Sequence, residues 1–344
     1  MPQLQAALDF IAAHESPWPR DLRAHLESGA FEPAPDNAIM GPIRPRGPVN
    51  AIITRNGEVL GRVGDTRQID QTFSVAKSYL ALLAGIAVAD GLIPDIDRPM
   101  RELVKDGGFD GPQNSGITWR HMLTNTSEWE GELWGKHDRI DRGRVLSSEG
   151  RATKNPNRVL QPPGTHWEYN DVRVNRLSLA LMHVFRKSLP DIFAARIMMP
   201  LGAAEDWRWE GYSNAWVEVG GLPMQGVPGG THWGGGVSIH AEDQLLVGQL
   251  MAAHGVWKGR TLVPAGWLEQ MVTPCALNPE YGFLTWLNTG RSKWPAASAR
   301  AYCFSGAGGN TTWVEPEDGL VCVFRWLDPA ALNQTMRLVR EAAR

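Results

Sequence analysis

Segments with β-strand character lie near both ends of the chain, and this placement restricts the fold more than any other feature of the sequence. Two short apolar segments flank Asn56-Gly57, which is the strongest local signal for a two-residue hairpin turn. Three consecutive segments near the other end also have strand character. The predicted strands are residues 49–54, 59–63, 301–305, 311–314 and 320–326. This order predicts one sheet that is assembled from both ends of the chain.

The middle of the chain has a different pattern. Several amphipathic, helix-like segments between residues 92 and 234 are separated by loops rich in glycine, proline and asparagine. We therefore predict an α+β protein in which a helical domain is inserted into a sheet domain. The predicted parts are an N-terminal helix and extended lead-in (1–45), an α/β sheet domain (46–91 and 235–344) and the inserted helical domain (92–234).

Composition and charge favour a small-molecule partner. The formal net charge is -3, without a long block of like charge, so neither nucleic acid nor an anionic membrane is an expected partner. The longest apolar segment, residues 80–89, is too short to span a bilayer, and no secretory leader is recognised, so we expect a cytoplasmic protein. The three cysteines and the histidines lack metal-ligand spacing, and no metal or other cofactor is expected. The oligomeric state is left open.

The most chemically informative segment is Ser74-Val75-Ala76-Lys77. Apolar residues recur at helical spacing from Leu80 until Gly91, which places Ser74 at or near the first turn of a buried helix. On a helix, residues three apart share a face, so a hydroxyl and an amine come within hydrogen-bonding reach. A serine needs such a neighbouring base to attack a carbonyl carbon. Alone, however, the spacing also fits a helix cap followed by a solvated lysine.

Four segments, read in order along the chain, resemble the penicillin-recognising serine hydrolases: class C β-lactamases, family VIII carboxylesterases and nylon-oligomer hydrolases. Phe73 to Ser78 resembles their nucleophile segment, and a second segment, residues 117–127, is similar to the start of their helical domain. Residues 163–171, with Pro-Gly-Thr before Tyr169, and the glycine-rich residues 305–310 resemble two further motifs. The resemblance implies a β-lactamase/transpeptidase-like fold, with an antiparallel sheet flanked by helices and an inserted all-helical domain.

The same resemblance implies catalytic roles. Ser74 would be the nucleophile, Lys77 and Tyr169 would handle its proton, and the backbone N–H groups of Ser74 and Ala307 would form the oxyanion hole. The family commonly has asparagine where this chain has Asp171. A carboxylate there would keep Lys77 protonated, so whether Lys77 or Tyr169 is the initial base stays open. Asn170 or Asn175 is the alternative occupant of the amide's place.

The predicted substrate-binding residues either lie in or beside these motifs or carry an aromatic ring that is suited to line a pocket. They are Asp171, Trp233, Ser305, Gly306, Trp129 and Trp134. Ser305 occupies the position at which β-lactamases have a lysine that helps hold the substrate carboxylate, which favours neutral acyl substrates. We expect hydrolysis of a carboxylic ester through an acyl-enzyme, with cleavage of short linear oligoamides or amino-acid amides as the alternative. β-Lactam or peptidoglycan hydrolysis and a non-catalytic binding module are less favoured.

Overall fold

The computed structural model describes residues 2–146 and 152–344 and contains a six-stranded antiparallel sheet. We number its strands in chain order as β1 (Asn50–Arg55), β2 (Glu58–Val63), β3 (Trp286–Leu287), β4 (Tyr302–Gly306), β5 (Asn310–Glu315) and β6 (Leu320–Arg325). Their spatial order is β3-β4-β5-β6-β1-β2. The two ends of the chain meet where β1 pairs with β6, in the register Asn50 opposite Arg325. This confirms the prediction of a single sheet built from both ends.

The turn between β1 and β2 forms as its sequence predicts. Asn56 and Gly57 both have positive φ angles, 51° and 86°. This backbone conformation belongs to the turn type whose twist matches that of a β-hairpin. The pairing of the two strands shifts register between Ile53 and Thr54, which marks a local irregularity in β1.

Helices cover both faces of the sheet. The α-helices of the described residues are α1 (Pro2–Ala13), α2 (Leu22–Glu27), α3 (Val75–Ala89), α4 (Trp119–Leu123), α5 (Asp171–Phe185), α6 (Leu189–Phe193), α7 (Met199–Leu201), α8 (Ala241–Ala252), α9 (Ala265–Met271) and α10 (Leu332–Ala343). Successive strand residues point to opposite faces. Thus Cys322 and Phe324 of β6 join the core with α1 and α10, while Val321 and Val323 join the core with α3 and α8. In this described part of the chain, no helix is both long enough and apolar enough to cross a membrane.

The cysteines are free thiols, and two of them are buried in the sheet. Cys303 on β4 and Cys322 on β6 both lie opposite Trp313 of the intervening strand β5. The two cysteines therefore do not pair directly across neighbouring strands, because Trp313 lies between them.

The segment between residues 92 and 234 has fewer helices than its sequence pattern suggests. Within its described part, the helical segments longer than five residues are α5 and residues 189–201, where the π-helical turn Ala194–Met198 joins α6 to α7. Short strand pairs and loops occupy much of the rest. One such pair joins Trp216–Val219 to Leu222–Gln225. Dense glycine and proline explain the difference, since these residues end helices after one or two turns. The expectation of an all-helical insertion was therefore too simple, and the domain boundaries stay a proposal.

A small second sheet lies directly before the candidate nucleophile. Its central strand, Gly236–Ile239, pairs with Asp70–Gln71 on one side and with Arg208–Glu210 on the other. Because Asp70–Gln71 leads through two residues into Ser74 and α3, this sheet fixes the entry of the chain into the helix.

Candidate active site

Ser74 occupies the N-cap position of α3, at the helix start that the sequence predicted, and its side chain makes no capping hydrogen bond. The preceding residue, Phe73, is buried and has a φ angle of 50°, which is rare for a residue with a bulky side chain. Its ring packs edge-on against Trp18 and Trp326. This packing holds the backbone of Phe73 in an unfavourable conformation directly before Ser74.

Lys77 lies one helical turn after Ser74 and is directed back toward it. Its ammonium Nζ donates a hydrogen bond to Ser74 Oγ at 2.8 Å and another to the carbonyl oxygen of Gly229 at 3.2 Å. The Ser74 hydroxyl in turn donates to the carbonyl oxygen of Gly230 at 3.1 Å. The structure therefore brings the predicted nucleophile and the predicted lysine together.

Asp171 supplies the third oxygen at the lysine. Its Oδ1 atom lies 2.7 Å from Lys77 Nζ, and both side chains are almost wholly buried. Burial lowers the pKa of Lys77, but the attraction of Asp171 and Tyr169 outweighs burial, so the pKa lies above its ordinary value. Burial likewise raises the pKa of Asp171, but Lys77 and Arg144 together reverse this effect and hold it well below its ordinary value. The pair is therefore an ammonium and a carboxylate.

The Asp171 carboxylate is thus a buried partner of Lys77, and its expected role in substrate binding stays a prediction. The two alternative amides have other tasks. Asn170 caps α5 by accepting the N–H of Arg173 at 3.2 Å, and Asn175 accepts the N–H of Gly229 at 3.0 Å. Asn175 consequently helps to fix the loop whose carbonyl oxygens face Lys77 and Ser74.

Tyr169 lies beside the same lysine. The centre of its ring is 5.1 Å from Lys77 Nζ and 5.4 Å from the guanidinium carbon of Arg144. Trp286, at the edge of the main sheet, stacks on the ring at a centroid distance of 5.6 Å, and Trp167 packs edge-on against Trp286. The two tryptophans are only partly buried and form an apolar wall next to Tyr169.

The glycine-rich end of β4 lies against the segment that precedes Ser74. A Cβ atom on Gly306 would be 2.0 Å from the carbonyl oxygen of Thr72 and 3.2 Å from the backbone nitrogen of Ser74. Only glycine fits such an approach. Ser305, half-buried, is the preceding residue of β4, and Ala307 begins the turn that follows. The glycine-rich segment, which was expected to belong to the active site, therefore lies next to Ser74.

Three of the predicted pocket residues, Trp233, Trp129 and Trp134, are buried in the core. Trp233 is 0% exposed, and its indole N–H donates to the carbonyl oxygen of Asp36 at 2.8 Å. The indole of Trp129 donates to the carbonyl oxygen of Gly108 at 2.8 Å, and Trp134 is buried beside Tyr212. All three rings are buried against other parts of the fold, and their contacts with a substrate stay a prediction. Trp167 and Trp286, which the sequence did not single out, lie closer to Tyr169.

Several further residues near Asp171 were not recognised from the sequence. Arg144 Nη1 lies 3.2 Å from Asp171 Oδ2, and His232 Nδ1 lies 3.5 Å from the same oxygen. The opposite ring nitrogen of His232 is 2.6 Å from Glu32 Oε1. The pair Gly229-Gly230 just before His232 was the available signal, since adjacent glycines often mark a close approach of the backbone.

Three clusters in the described chain have the residue types that ligate metals: Glu32, Asp141 and His232; Glu128, His166 and Glu168; and Asp206, His240 and Asp243. In the first cluster, the Lys154 ammonium contacts Glu32 and lies 2.8 Å from Asp141. In the third, His240 Nδ1 accepts the N–H of Asp243 at 3.2 Å, which places the remaining hydrogen of a neutral ring on Nε2. Protein groups therefore already satisfy much of the charge and lone-pair capacity at these two clusters.

Comparison with solved structures shows the same fold in proteins of low sequence identity. A family VIII carboxylesterase aligns with a TM-score of 0.65 and 15% identity, covering 100% of this chain and 98% of its own. A putative beta-lactamase from Bacteroides dorei has a TM-score of 0.62 and 17% identity, covering 85% and 93%. A putative 6-aminohexanoate-dimer hydrolase from Bacillus anthracis has a TM-score of 0.59 and 15% identity, covering 90% and 80%.

No curated protein matches the sequence. The sequence model of the beta-lactamase family, in contrast, matches residues 46–326, which include Ser74, Lys77, Tyr169 and the glycine-rich end of β4. This match covers most of the chain and agrees with the fold of the structural neighbours. The protein therefore belongs to the beta-lactamase family.

Proposed function

We propose that the protein is a serine hydrolase that cleaves carboxylic esters through an acyl-enzyme on Ser74. The observation that carries the proposal is the 2.8 Å hydrogen bond between Lys77 Nζ and Ser74 Oγ at the N-terminus of a buried helix. A serine in such a position has its hydroxyl oxygen fixed by a neighbouring ammonium before the substrate arrives.

The hydrogen-bond directions favour Tyr169 as the first acceptor of the serine proton. Lys77 faces three oxygens, and those of Gly229 and Asp171 can only accept, so an ammonium with three donors suits the site. An ammonium has no lone pair with which to accept a proton. In this proposal Lys77 holds Ser74 Oγ by its hydrogen bond, while the phenolic oxygen of Tyr169 takes the proton from the Ser74 hydroxyl.

The reaction then has two steps. Ser74 Oγ bonds to the carbonyl carbon, and the bond to the leaving oxygen breaks as Tyr169 passes the serine proton to that oxygen. The backbone N–H groups of Ser74 and Ala307 stabilise the oxyanion. Water subsequently adds to the acyl carbon, its proton returns to Ser74 Oγ through Tyr169, and the carboxylic acid leaves.

Two features support an ester with an apolar acyl or alcohol part as the substrate class. Ser305 is uncharged where a β-lactamase has lysine, and Trp167 with Trp286 offers an aromatic surface beside Tyr169. Amide cleavage remains the competing activity, because the fold is shared with a putative 6-aminohexanoate-dimer hydrolase. Steady-state rates on p-nitrophenyl butyrate and on the matching butyryl p-nitroanilide separate the two activities.

The decisive variant is Ser74→Ala. We expect the wild-type protein to form a covalent adduct with a fluorophosphonate and the variant to form none, with ester hydrolysis reduced at least about a thousandfold. Intact mass spectrometry and rates with p-nitrophenyl butyrate measure both effects. Ser78→Ala is the matched control on the same helix, since the Ser78 hydroxyl donates to the carbonyl oxygen of Leu284. Absence of an adduct in the wild-type protein would favour a binding module.

A further inference from the structure

A row of buried side chains in contact with one another connects Lys77 to the N-terminal segment of the chain. It consists of Lys77, Asp171, His232 and Glu32, with successive separations of 2.7, 3.5 and 2.6 Å. We infer that His232 and Glu32 are positioning residues, which orient Asp171 and through it the Lys77 ammonium at Ser74. This inference rests on the proposed serine-hydrolase function.

The first argument is the placement of the loop that carries His232. Within four residues, this loop presents the carbonyl oxygen of Gly229 to Lys77, the carbonyl oxygen of Gly230 to Ser74 Oγ and the ring of His232 to Asp171. One backbone segment therefore contacts all three members of the Ser74–Lys77–Asp171 group. A displacement of His232 would move the acceptors that fix the nucleophile.

The loop has little freedom to move independently. The Gly229 N–H donates to Asn175 Oδ1 at 3.0 Å, and Gly230 has a φ angle of 79°. A Cβ at Gly230 would lie 1.8 Å from the carbonyl oxygen of Phe73, the residue before the nucleophile. The loop and the nucleophile turn are thus packed backbone to backbone, so an orientation imposed at His232 is retained at Ser74.

The second argument is the burial of Glu32 against His232. Glu32 is 2% exposed although the prolines that follow it are exposed, and it contacts His232 and the Lys154 ammonium. Phe31, the preceding residue, stacks on the His232 ring at a centroid distance of 5.1 Å. Burying an acid is costly unless charged or hydrogen-bonding groups meet it. The lead-in therefore holds the imidazole between Phe31 and two carboxylates.

The third argument concerns the charge around Asp171. Its carboxylate has Lys77 on one side and Arg144 on the other, and the Arg144 guanidinium also lies 3.4 Å from Asp141. The two cations lie on different oxygens of the carboxylate, Lys77 on Oδ1 and Arg144 on Oδ2, so its rotation sets both contacts. The contact from His232 to Oδ2 favours the rotation in which Oδ1 remains on Lys77.

The test is a double-mutant cycle of His232→Gln and Asp171→Asn with p-nitrophenyl butyrate. If His232 acts through Asp171, His232→Gln lowers kcat about tenfold with little change in KM, and it has almost no further effect when residue 171 is already asparagine. Equal losses in both backgrounds would show that His232 does not act through Asp171 and would overturn the inference.

Glu32→Gln provides a second variant in case His232→Gln does not fold, as judged by circular dichroism and thermal unfolding. We expect it to lower kcat in the same direction, also only when Asp171 is present. Glu15→Gln is the matched control, because Glu15 belongs to the same N-terminal region but pairs with Arg46 at 2.7 Å. A loss of kcat in Glu15→Gln equal to that in Glu32→Gln would attribute the effect to packing of the lead-in and contradict positioning.

Labelling with the fluorophosphonate distinguishes a failure of the proposed function from a failure of the positioning role alone. An unlabelled wild-type Ser74 would contradict the proposed function and the positioning role together. A labelled Ser74 whose labelling rate and kcat are unchanged in both His232→Gln and Glu32→Gln would contradict the positioning role alone.

Discussion

Two buried cations in this molecule, Lys77 and Arg325, are held by different kinds of partner. Both side chains are almost fully inaccessible to solvent. Arg325, at the end of β6, donates only to neutral oxygens, namely the side chains of Asn310 and Gln244 and the carbonyl oxygens of Gln71 and Ile239. Lys77 instead faces a carboxylate at 2.7 Å in addition to a hydroxyl and a carbonyl.

Arg325 therefore acts as a structural cross-link, whereas the charge of Lys77 is balanced by a carboxylate beside the candidate nucleophile. Burial lowers the pKa of Arg325, and the attraction of Asp70 and Tyr79 does not compensate for it. At Lys77, Asp171 reverses the same effect of burial. Arg325 joins the main sheet to the two strands that precede Ser74 and α8. We therefore expect loss of Arg325 to weaken the fold and loss of Asp171 to affect both the fold and the chemistry.

The largest effect in this comparison is expected for Asp171→Ala. Removing the carboxylate leaves Lys77 buried without its counterion, so the free energy of unfolding should fall by about 3–5 kcal/mol, and ester hydrolysis should fall with it. Urea unfolding and rates with p-nitrophenyl butyrate measure these changes. Asp97→Ala is the control, because Asp97 forms a solvent-exposed pair with Arg120, worth about 1 kcal/mol or less. Equal losses in the two variants would mean that Asp171 is not a required counterion.

Arg325→Met should have a smaller effect, and one confined to stability. The substitution leaves buried carbonyl and amide oxygens without donors, which should lower the free energy of unfolding by about 2–3 kcal/mol. The rate of ester hydrolysis per folded molecule should remain near that of the wild type. Arg337→Met on the exposed side of α10 is the control for loss of an arginine. A large loss of activity in fully folded Arg325→Met would place Arg325 in the catalytic site.

The smallest effect is a pH dependence of the Asp171 contribution. Because the pKa of Asp171 is lowered by folding, its stabilisation is fully present above the ordinary aspartate pKa and is lost progressively as the pH falls below it. The destabilisation caused by Asp171→Asn should therefore be larger at pH 7 than at pH 3. Denaturant unfolding of wild type and variant at both pH values measures the difference, and equal values would contradict an ionised Asp171. No such change is expected for Arg325→Met.

Much of the fold could be predicted from local sequence patterns. The Asn56-Gly57 turn, the strands near both termini and the helix that begins after Ser74 all follow from patterns of neighbouring residues, because turn conformation and periodic burial are local properties. The region between 92 and 234 was less predictable. Its short helices and strand pairs depend on contacts with distant segments rather than on their own periodicity.

The sequence by itself determined that strands near both ends build one sheet, how far apart Ser74 and Lys77 lie along a helix, and the family to which the chain belongs. Only the tertiary structure decided that Asp171 is the partner of Lys77, that Trp233 is a core residue, and that Glu32 meets His232 across 200 positions of sequence. The physical reason is that burial and charge pairing depend on which distant segments fold against each other. Residue type and local spacing do not contain that information.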